Sequence, residues 1–498
     1  MKITIKANDP AEIEADVLIF FSYESDFGKI LFLNKTVNDL IKKAAAREDF
    51  EGKEKQYLIL SADGNLASHK ILVSGLGEKE TFDLYKIRKS IAEAFRKARS
   101  FRPEKVALVL DDYWFVKFKT EEVLQAATEA VKLSSYSFIK YKSQEEKAKI
   151  KAVIEVYFCL HAGKISSAEE GIKRGLFYSE ATCFARDLIN EPADVTTPSY
   201  LAKIAQEISK ESKGKVKLHI LEKEEIEKLS MNAYLAVAKG SNEEPKFIRL
   251  DYRPVKSKKH IVIVGKGITF DTGGLSLKSS EHMEKMKSDM AGAAAVLSIF
   301  KVLPYLKLDI RLTGLIPACE NMPGGGALKP GDILISANGK SIEVLNTDAE
   351  GRLTLADAFS YAVSYLKPDY LIDLATLTGA CMVALGENIA GLWSNDEELA
   401  QRLLKSSFQT GEKIWRMPLF DEYKPLIKSD IADFKNIQTG KYGGAITAAL
   451  FLAEFTNDLP WAHLDIAGPA FVEKDESLAP KGGAGFGVRL LLDFLEKI

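Results

Sequence analysis

An α/β protein of two domains is predicted: a smaller N-terminal α/β domain over residues 1–165 and a larger C-terminal α/β domain over 166–498, whose mixed central sheet is flanked by helices. Three observations predict it. At 498 residues the chain is too long for one ordinary core. Short β-rich runs alternate with helical spacing along both halves. A helical pattern over 166–190, stopped by Asn190-Glu191-Pro192, stands between the halves as a linker.

In the first half, Ile3–Ile5, Val17–Phe21, Tyr57–Leu60, Ile71–Ser74, Val106–Leu110 and Val153–Phe158 read as strands. Val37–Arg47, Leu84–Arg99 and Glu121–Leu133 carry the apolar spacing of helices. Gly75-Leu76-Gly77 follows a strand as a phosphate loop does, but lacks the third glycine, so a plain turn is expected. In the second half the strands expected are Val216–Leu221, Phe247–Tyr252, Ile261–Val264, Ile310–Ile316, Tyr370–Leu374 and Ala462–Ile466. Helices are expected at Tyr200–Glu211, Ala291–Val302, Leu353–Leu366, Ala445–Phe455 and Gly487–Lys497.

Composition narrows the function. Hydrophobic residues make up 46% and charged residues 28%, the balance of a globular domain. A net charge of −2 gives no electrostatic reason to expect an anionic membrane, or nucleic acid as the main partner. Cys159, Cys183, Cys319 and Cys381 are scattered without a C-x-x-C pair, so buried free thiols are expected and no disulfide framework. Met1–Lys6 alternates like a strand and lacks the apolar run of a signal peptide, and no stretch reads as long enough to span a bilayer. A cytoplasmic protein is the default.

Two clusters carry chemistry. Leu345-Asn346-Thr347-Asp348-Ala349-Glu350-Gly351-Arg352-Leu353 packs two carboxylates and a guanidinium between an extended run and a helix. Gly265-Lys266-Gly267 follows an apolar strand and leads to Asp271-Thr272-Gly273-Gly274, then Lys278 and Asp289. Both sit where ligands gather in α/β sheets, after the carboxyl ends of strands. No H-E-x-x-H is present, and His463 reads as a hydrogen-bonded core residue, so a metal site here is built from carboxylates. Asp271, Asp289, Asp348 and Glu350 together balance two dications, and a lysine buried between glycines becomes a nitrogen ligand once neutral. Each part has a plainer reading. Thr347 to Glu350 matches a helix capping box, Asp289 a helix-entry carboxylate, and Asp271-Thr272-Gly273-Gly274 a turn.

Asn346–Leu353 closely resembles the diagnostic octapeptide of the leucine aminopeptidase family of two-metal exopeptidases. Supporting segments are Arg186–Pro192, Gly265–Leu277, Asp373–Ala380, Tyr442–Thr447 and Trp461–Gly468, so the resemblance runs from about Arg186 to the C-terminus. It implies that residues 166–498 form the catalytic domain. It also implies a leucyl aminopeptidase that releases leucine and other apolar N-terminal residues from peptides with a free N-terminus, by attack of a hydroxide bridging two divalent ions (Zn or Mn). Lys266, Asp271, Asp289 and Glu350 would hold the tighter ion; Asp271, Asp348 and Glu350 the more exchangeable one. Lys278 would stabilise the oxyanion, Arg352 would hold a bicarbonate as general base, Leu377 and Gly379 would align the peptide, and Met286 would line the first side-chain pocket. The resemblance further implies a homohexamer. Thr272 stands where many relatives carry serine, which keeps the hydroxyl. A cysteinylglycine dipeptidase, a nucleic-acid-binding regulator and an inactive scaffold are the rival readings.

Overall fold

The computed structural model describes residues 1–7, 9–24, 35–62, 64, 66–160 and 165–498. Its contacts divide into two compact units, Met1–Ser179 with Asp475–Pro480, and Glu180–Lys474 with Lys481–Ile498. Both are α/β.

The first unit is built on a six-stranded sheet, with strands numbered along the chain: β1 (Lys2–Lys6), β2 (Val17–Tyr23), β3 (Tyr57–Ser61), β4 (Lys70–Gly77), β5 (Lys105–Val109) and β6 (Glu155–Cys159), in the spatial order β1-β6-β5-β2-β4-β3. Among the described strands of this sheet, only the edge strand β3 runs antiparallel to its neighbour, so the inner strands carry helices on both faces. Val17, Ile19 and Phe21 enter one core and Leu18 and Phe20 the other, the period-2 alternation of a strand buried on both sides. Gly75 is no ligand loop. A Cβ there would lie 2.0 Å from the Lys53 carbonyl, so the glycine lets two backbones touch.

The second unit carries the larger sheet: β7 (Val216–Leu221), β8 (Lys246–Tyr252), β9 (His260–Gly265), β10 (Gly267–Asp271), β11 (Arg311–Asn321), β14 (Tyr370–Ala375), β15 (Ala390–Ser394), β16 (Ile414–Arg416) and β18 (Trp461–Asp465). The order is β16-β15-β18-β14-β9-β11-β8-β7, with β10 beside β11. Its centre is parallel and its flanks include antiparallel pairs, so the sheet is mixed as predicted. β12 (Ile333–Ile335), β13 (Ser341–Glu343) and β17 (Phe434–Lys435) form a small side sheet, and β19 (Phe471–Val472) pairs with β20 (Gly482–Gly483). The run Ile342–Leu345 thus ends the side sheet rather than the central one.

One helical stretch, Ser280–Leu306, is long and apolar enough to cross a membrane by length and composition, which the sequence reading had not expected. Of its most apolar window 83% is buried, and its Ala291–Leu306 part packs on β9, β11 and β14, so the apolar surface is spent inside the unit.

Candidate metal and peptide site

The site forms where β9 ends. Val264 still pairs with Leu315 of β11, and Gly265 with Leu374 of β14; beyond Lys266 the chain follows β11 alone, as β10. Lys266 sits at that parting of strands, its N–H bonded to the Leu374 carbonyl (3.0 Å) and its carbonyl to Ala293 N–H (2.9 Å). Between Ile268 and Asp271 the register on β11 slips by one residue. In a regular strand residues 266 and 271 face opposite sides; an irregularity of one residue brings them to the same side. Gly292 lets the following helix approach, since a Cβ there would lie 2.1 Å from the Leu374 carbonyl.

The two clusters meet. Lys266 Nζ donates to Asp289 Oδ1 (2.8 Å) and to the Thr376 carbonyl (3.0 Å), and pairs with Glu350 Oε1 (2.8 Å). Lys278 Nζ pairs with Asp271 Oδ2 (2.8 Å) and, closer still, with Asp348 Oδ1. One ligand atom each from Asp271, Asp348 and Glu350 lies within 4.8 Å of the others. Lys266, Asp271, Asp289 and Glu350 are buried, while Lys278 and Asp348 keep side-chain exposures of 15% and 33%, which orders the site from an inner to an outer end. Asp289 is the C-cap of the short helix Met286–Ser288, whose first residue, Met286, is half-buried.

The capping-box reading of Thr347–Glu350 does not survive. The helix runs over Gly351–Tyr361, and Thr347 Oγ1 instead donates to the Gly273 carbonyl (2.6 Å) and accepts from Ser276 N–H (2.8 Å). Thr347 therefore sews one cluster to the other. Glu350 turns to Lys266 because a buried ammonium is a stronger partner than a backbone amide. Gly273, at φ +84°, takes the left-handed turn that aims this loop at Asp348.

Electrostatics follow from burial and neighbours. Burial favours the neutral amine of Lys266, yet the charges of Asp289, Glu350 and Asp271 outweigh it and hold the ammonium form in the metal-free protein. Asp271 is pushed up to about 6 by burial and by Glu350, against Lys278 and Lys266. Burial raises Asp289 and Asp348 as well. Glu350 is drawn down, because Lys266 and Lys278 outweigh its burial. The carboxylates outnumber Lys266, Lys278 and Arg352, so negative charge is left in excess in a buried space. Among the described residues, Glu350 Oε2 is buried with no hydrogen-bond partner. Carboxylate oxygens, an amine, an orphaned acceptor and surplus negative charge fit divalent cations.

Arg352 is buried and donates through Nη1 to the Asn436 carbonyl (2.7 Å), while its Nε has no partner among the described residues. Burial pulls its guanidinium down to about 10. Leu377 gives its N–H to Asp465 Oδ1 (3.2 Å). Gly379 is exposed and opens the helix Gly379–Leu385, with nothing within 4 Å of where a Cβ would stand. His463 is buried, bonded through Nδ1 to Asp373 Oδ1 (2.6 Å), a core residue as expected.

Several residues the sequence reading did not single out hold the site. Thr376 Oγ1 donates to Asp289 Oδ1 (2.7 Å). Asn321 Nδ2 donates to Asp271 Oδ1 (2.8 Å) and to the Thr347 carbonyl (3.0 Å). Asn436 Oδ1 accepts from Leu345 N–H (2.8 Å), beside its carbonyl's bond to Arg352. At Gly351 a Cβ would lie 2.6 Å from Lys266 Cε. The only signal available was proximity to the recognised segments.

An open mixed α/β sheet with a carboxylate–lysine cage at the carboxyl ends of its strands defines a metal-dependent hydrolase. Family models described as "Cytosol aminopeptidase family, catalytic domain" and "Cytosol aminopeptidase family, N-terminal domain" match residues 183–492 and 19–145. The chain is 42% identical to a "Probable cytosol aminopeptidase" of Persephonella marina, covering 99% of each chain, and 41% identical to one of Aquifex aeolicus, covering 100% of this chain and 99% of that one. Among solved structures it resembles a tomato leucine aminopeptidase mutant (TM-score 0.89, 33% identity, 100% of this chain and 97% of that one). It also resembles the bottromycin maturation enzyme BotP in complex with Mn (TM-score 0.84, 32% identity, 97% and 99%). The chain belongs to the cytosol aminopeptidase family and is a metal-dependent aminopeptidase.

Proposed function

We propose that this protein removes leucine and other apolar residues from the N-termini of peptides at a pair of divalent ions, Zn or Mn. The observation that carries this reading is the convergence of Asp271, Asp348 and Glu350 within 4.8 Å, beside a buried Lys266 that contacts both Asp289 and Glu350. Lys266, Asp271, Asp289 and Glu350 would hold the inner ion. Asp271, Asp348 and Glu350 would hold the outer one, with the Asp348 backbone carbonyl, so that Asp271 and Glu350 would be shared by both. Divalent ions held by these residues would supply Lewis-acid chemistry, favouring attack of an activated water on the scissile carbonyl.

The chain's own residues do the rest. Lys278, already at the outer end between Asp271 and Asp348, donates to the oxyanion as charge develops on the substrate. Arg352, whose Nε has no partner among the described residues, would hold a bicarbonate that serves as general base toward the attacking water. The Leu377 carbonyl and Gly379 align the peptide backbone, and Met286 lines the pocket for the first side chain. In this reading residues 166–498 are the catalytic domain, 166–190 the linker helix and 1–165 the N-terminal domain. The protein is a cytoplasmic homohexamer whose partners are peptides, without a membrane, and with nucleic acid no more than secondary.

The test is turnover of Leu-p-nitroanilide, its N-acetylated form and Cys-Gly by protein stripped of metal and reloaded with Mn or Zn. Activity on the first, restored by metal and abolished by acetylation, is expected. Equal turnover of the blocked substrate would overturn the reading, and a strong preference for Cys-Gly would replace it with a dipeptidase.

A further inference from the structure

The segment Thr376–Gly379, which follows β14, serves the site twice. Thr376 fixes two candidate ligands, through Oγ1 to Asp289 and through its carbonyl to Lys266. Leu377 and Gly379 are the backbone groups assigned above to the peptide. Asp289 thus takes its first residue, and a second carboxylate, that of Asp465, takes the next two. Asp465, the last residue of β18, accepts from Leu377 N–H (3.2 Å), Thr378 N–H (3.4 Å) and Ala467 N–H (3.1 Å) through Oδ1, and from Thr378 Oγ1 (2.7 Å) through Oδ2.

We propose that Asp465 is a positioning residue: it sets the backbone of Leu377 and Thr378, and with it the path into Gly379 and the alignment of the peptide over the metal ligands, while Thr376 stays held by Asp289 and Lys266. The proposal rests on the peptidase reading above.

Helix capping does not explain this carboxylate. The helix Gly379–Leu385 is capped by Thr378 Oγ1, which accepts from Cys381 N–H (3.0 Å). Asp465 instead fixes where that hydroxyl sends its proton. Four donors converge on it, and of the small side chains only an ionised aspartate is acceptor on every side; asparagine would turn a donor toward Thr378. Asp465 is 1% exposed, and burying a charge there is costly unless its bonds are complete. The sheet supplies the rest. Ala375 and Asp465 are register partners at the ends of β14 and β18, as are Asp373 and His463 two residues earlier on the same face. The paired His463 and Asp373 brace that strand end from below.

The test uses the Mn-loaded full chain as wild type, Asp465→Ala, Asp465→Asn and Thr378→Val. Metal content, thermal unfolding, and kcat and KM on Leu-p-nitroanilide and on Leu-Gly-Gly are measured. In Asp465→Ala, metal content holds, kcat on the tripeptide falls by roughly 100-fold, the scale for a misplaced reacting group, and the tripeptide loses more than the anilide, whose chain is shorter. Asp465→Asn recovers part of the loss, and Thr378→Val shows the same preference at smaller size. The inference is overturned by unchanged kinetics, by equal losses on both substrates, or by metal lost in step with activity. If Asp465→Ala does not fold, Thr378→Val decides by the same ratio. A metal-loaded wild type inactive on both substrates would instead sink the peptidase reading.

Discussion

Gly351→Ala tests the cage at its tightest point. A Cβ on residue 351 would stand 2.6 Å from Lys266 Cε and 2.8 Å from its Cδ and Nζ. To pass from 2.6 Å to an ordinary contact of 3.4 Å, the end of Lys266 must retreat by 0.8 Å. Long lysines usually yield cheaply, but this one is buried and held by Asp289, Glu350 and Thr376. Metal–ligand distances tolerate only about 0.2 Å, so retreat removes Lys266 from the inner ion. Loss of metal affinity of about 10–100-fold is expected, the range for disturbed supporting shells. In the metal-free protein, overpacking costs about 1–3 kcal/mol, and because Gly351 opens its helix the interior propensity gain of alanine does not offset it. Competition with a chelator gives the first quantity and denaturant unfolding the second. Gly325→Ala is the control, since nothing lies within 4 Å of its added Cβ. Unchanged metal affinity in Gly351→Ala would refute the reasoning, because it would mean Lys266 is free to move or is no ligand.

Three further outcomes are expected. Asp289→Ala lowers inner-site occupancy and activity together; full turnover with that site empty, measured by metal analysis, contradicts the assignment. Lys278→Ala keeps metal content and cuts kcat, and a loss of metal would show its role to be structural. His260, buried beside Arg311 and Arg253, is pulled down to about 4 by burial first and those charges second. Folding therefore keeps the ring neutral where the unfolded chain would protonate it. The stability it contributes is complete above pH 6.5 and is lost as pH falls from 6.5 to 4, by up to about 3 kcal/mol. His260→Gln should flatten that part of the profile in urea unfolding, and an unaltered slope would refute it.

The central strands were legible because each half alternates buried apolar runs with amphipathic helices, and burial on both faces needs no long-range information. β10 was not, since Gly265-Lys266-Gly267 reads as a strand ending; only β11 beside it shows that the chain continues. β12, β13 and β17 are too short to carry a period. The candidate ligand residues were legible because they fall in two contiguous segments. Asn321 and Asn436 were not, because register brings them to the site from distant stretches; Thr376 and Asp465 lie within recognised segments, but no local pattern marks their side chains as braces. Thr347 and Glu350 show the converse. A local capping pattern matched, and partners from across the fold, Gly273 and Lys266, took both side chains.

The most direct measurement is anomalous diffraction at the Mn edge from crystals of the Mn-loaded protein. Two peaks about 3.5–4 Å apart, the inner one against Lys266 and Asp289, the outer one against Asp348, with Asp271 and Glu350 between them, are expected. A single peak, or two that leave Lys266 outside coordination, would contradict the account.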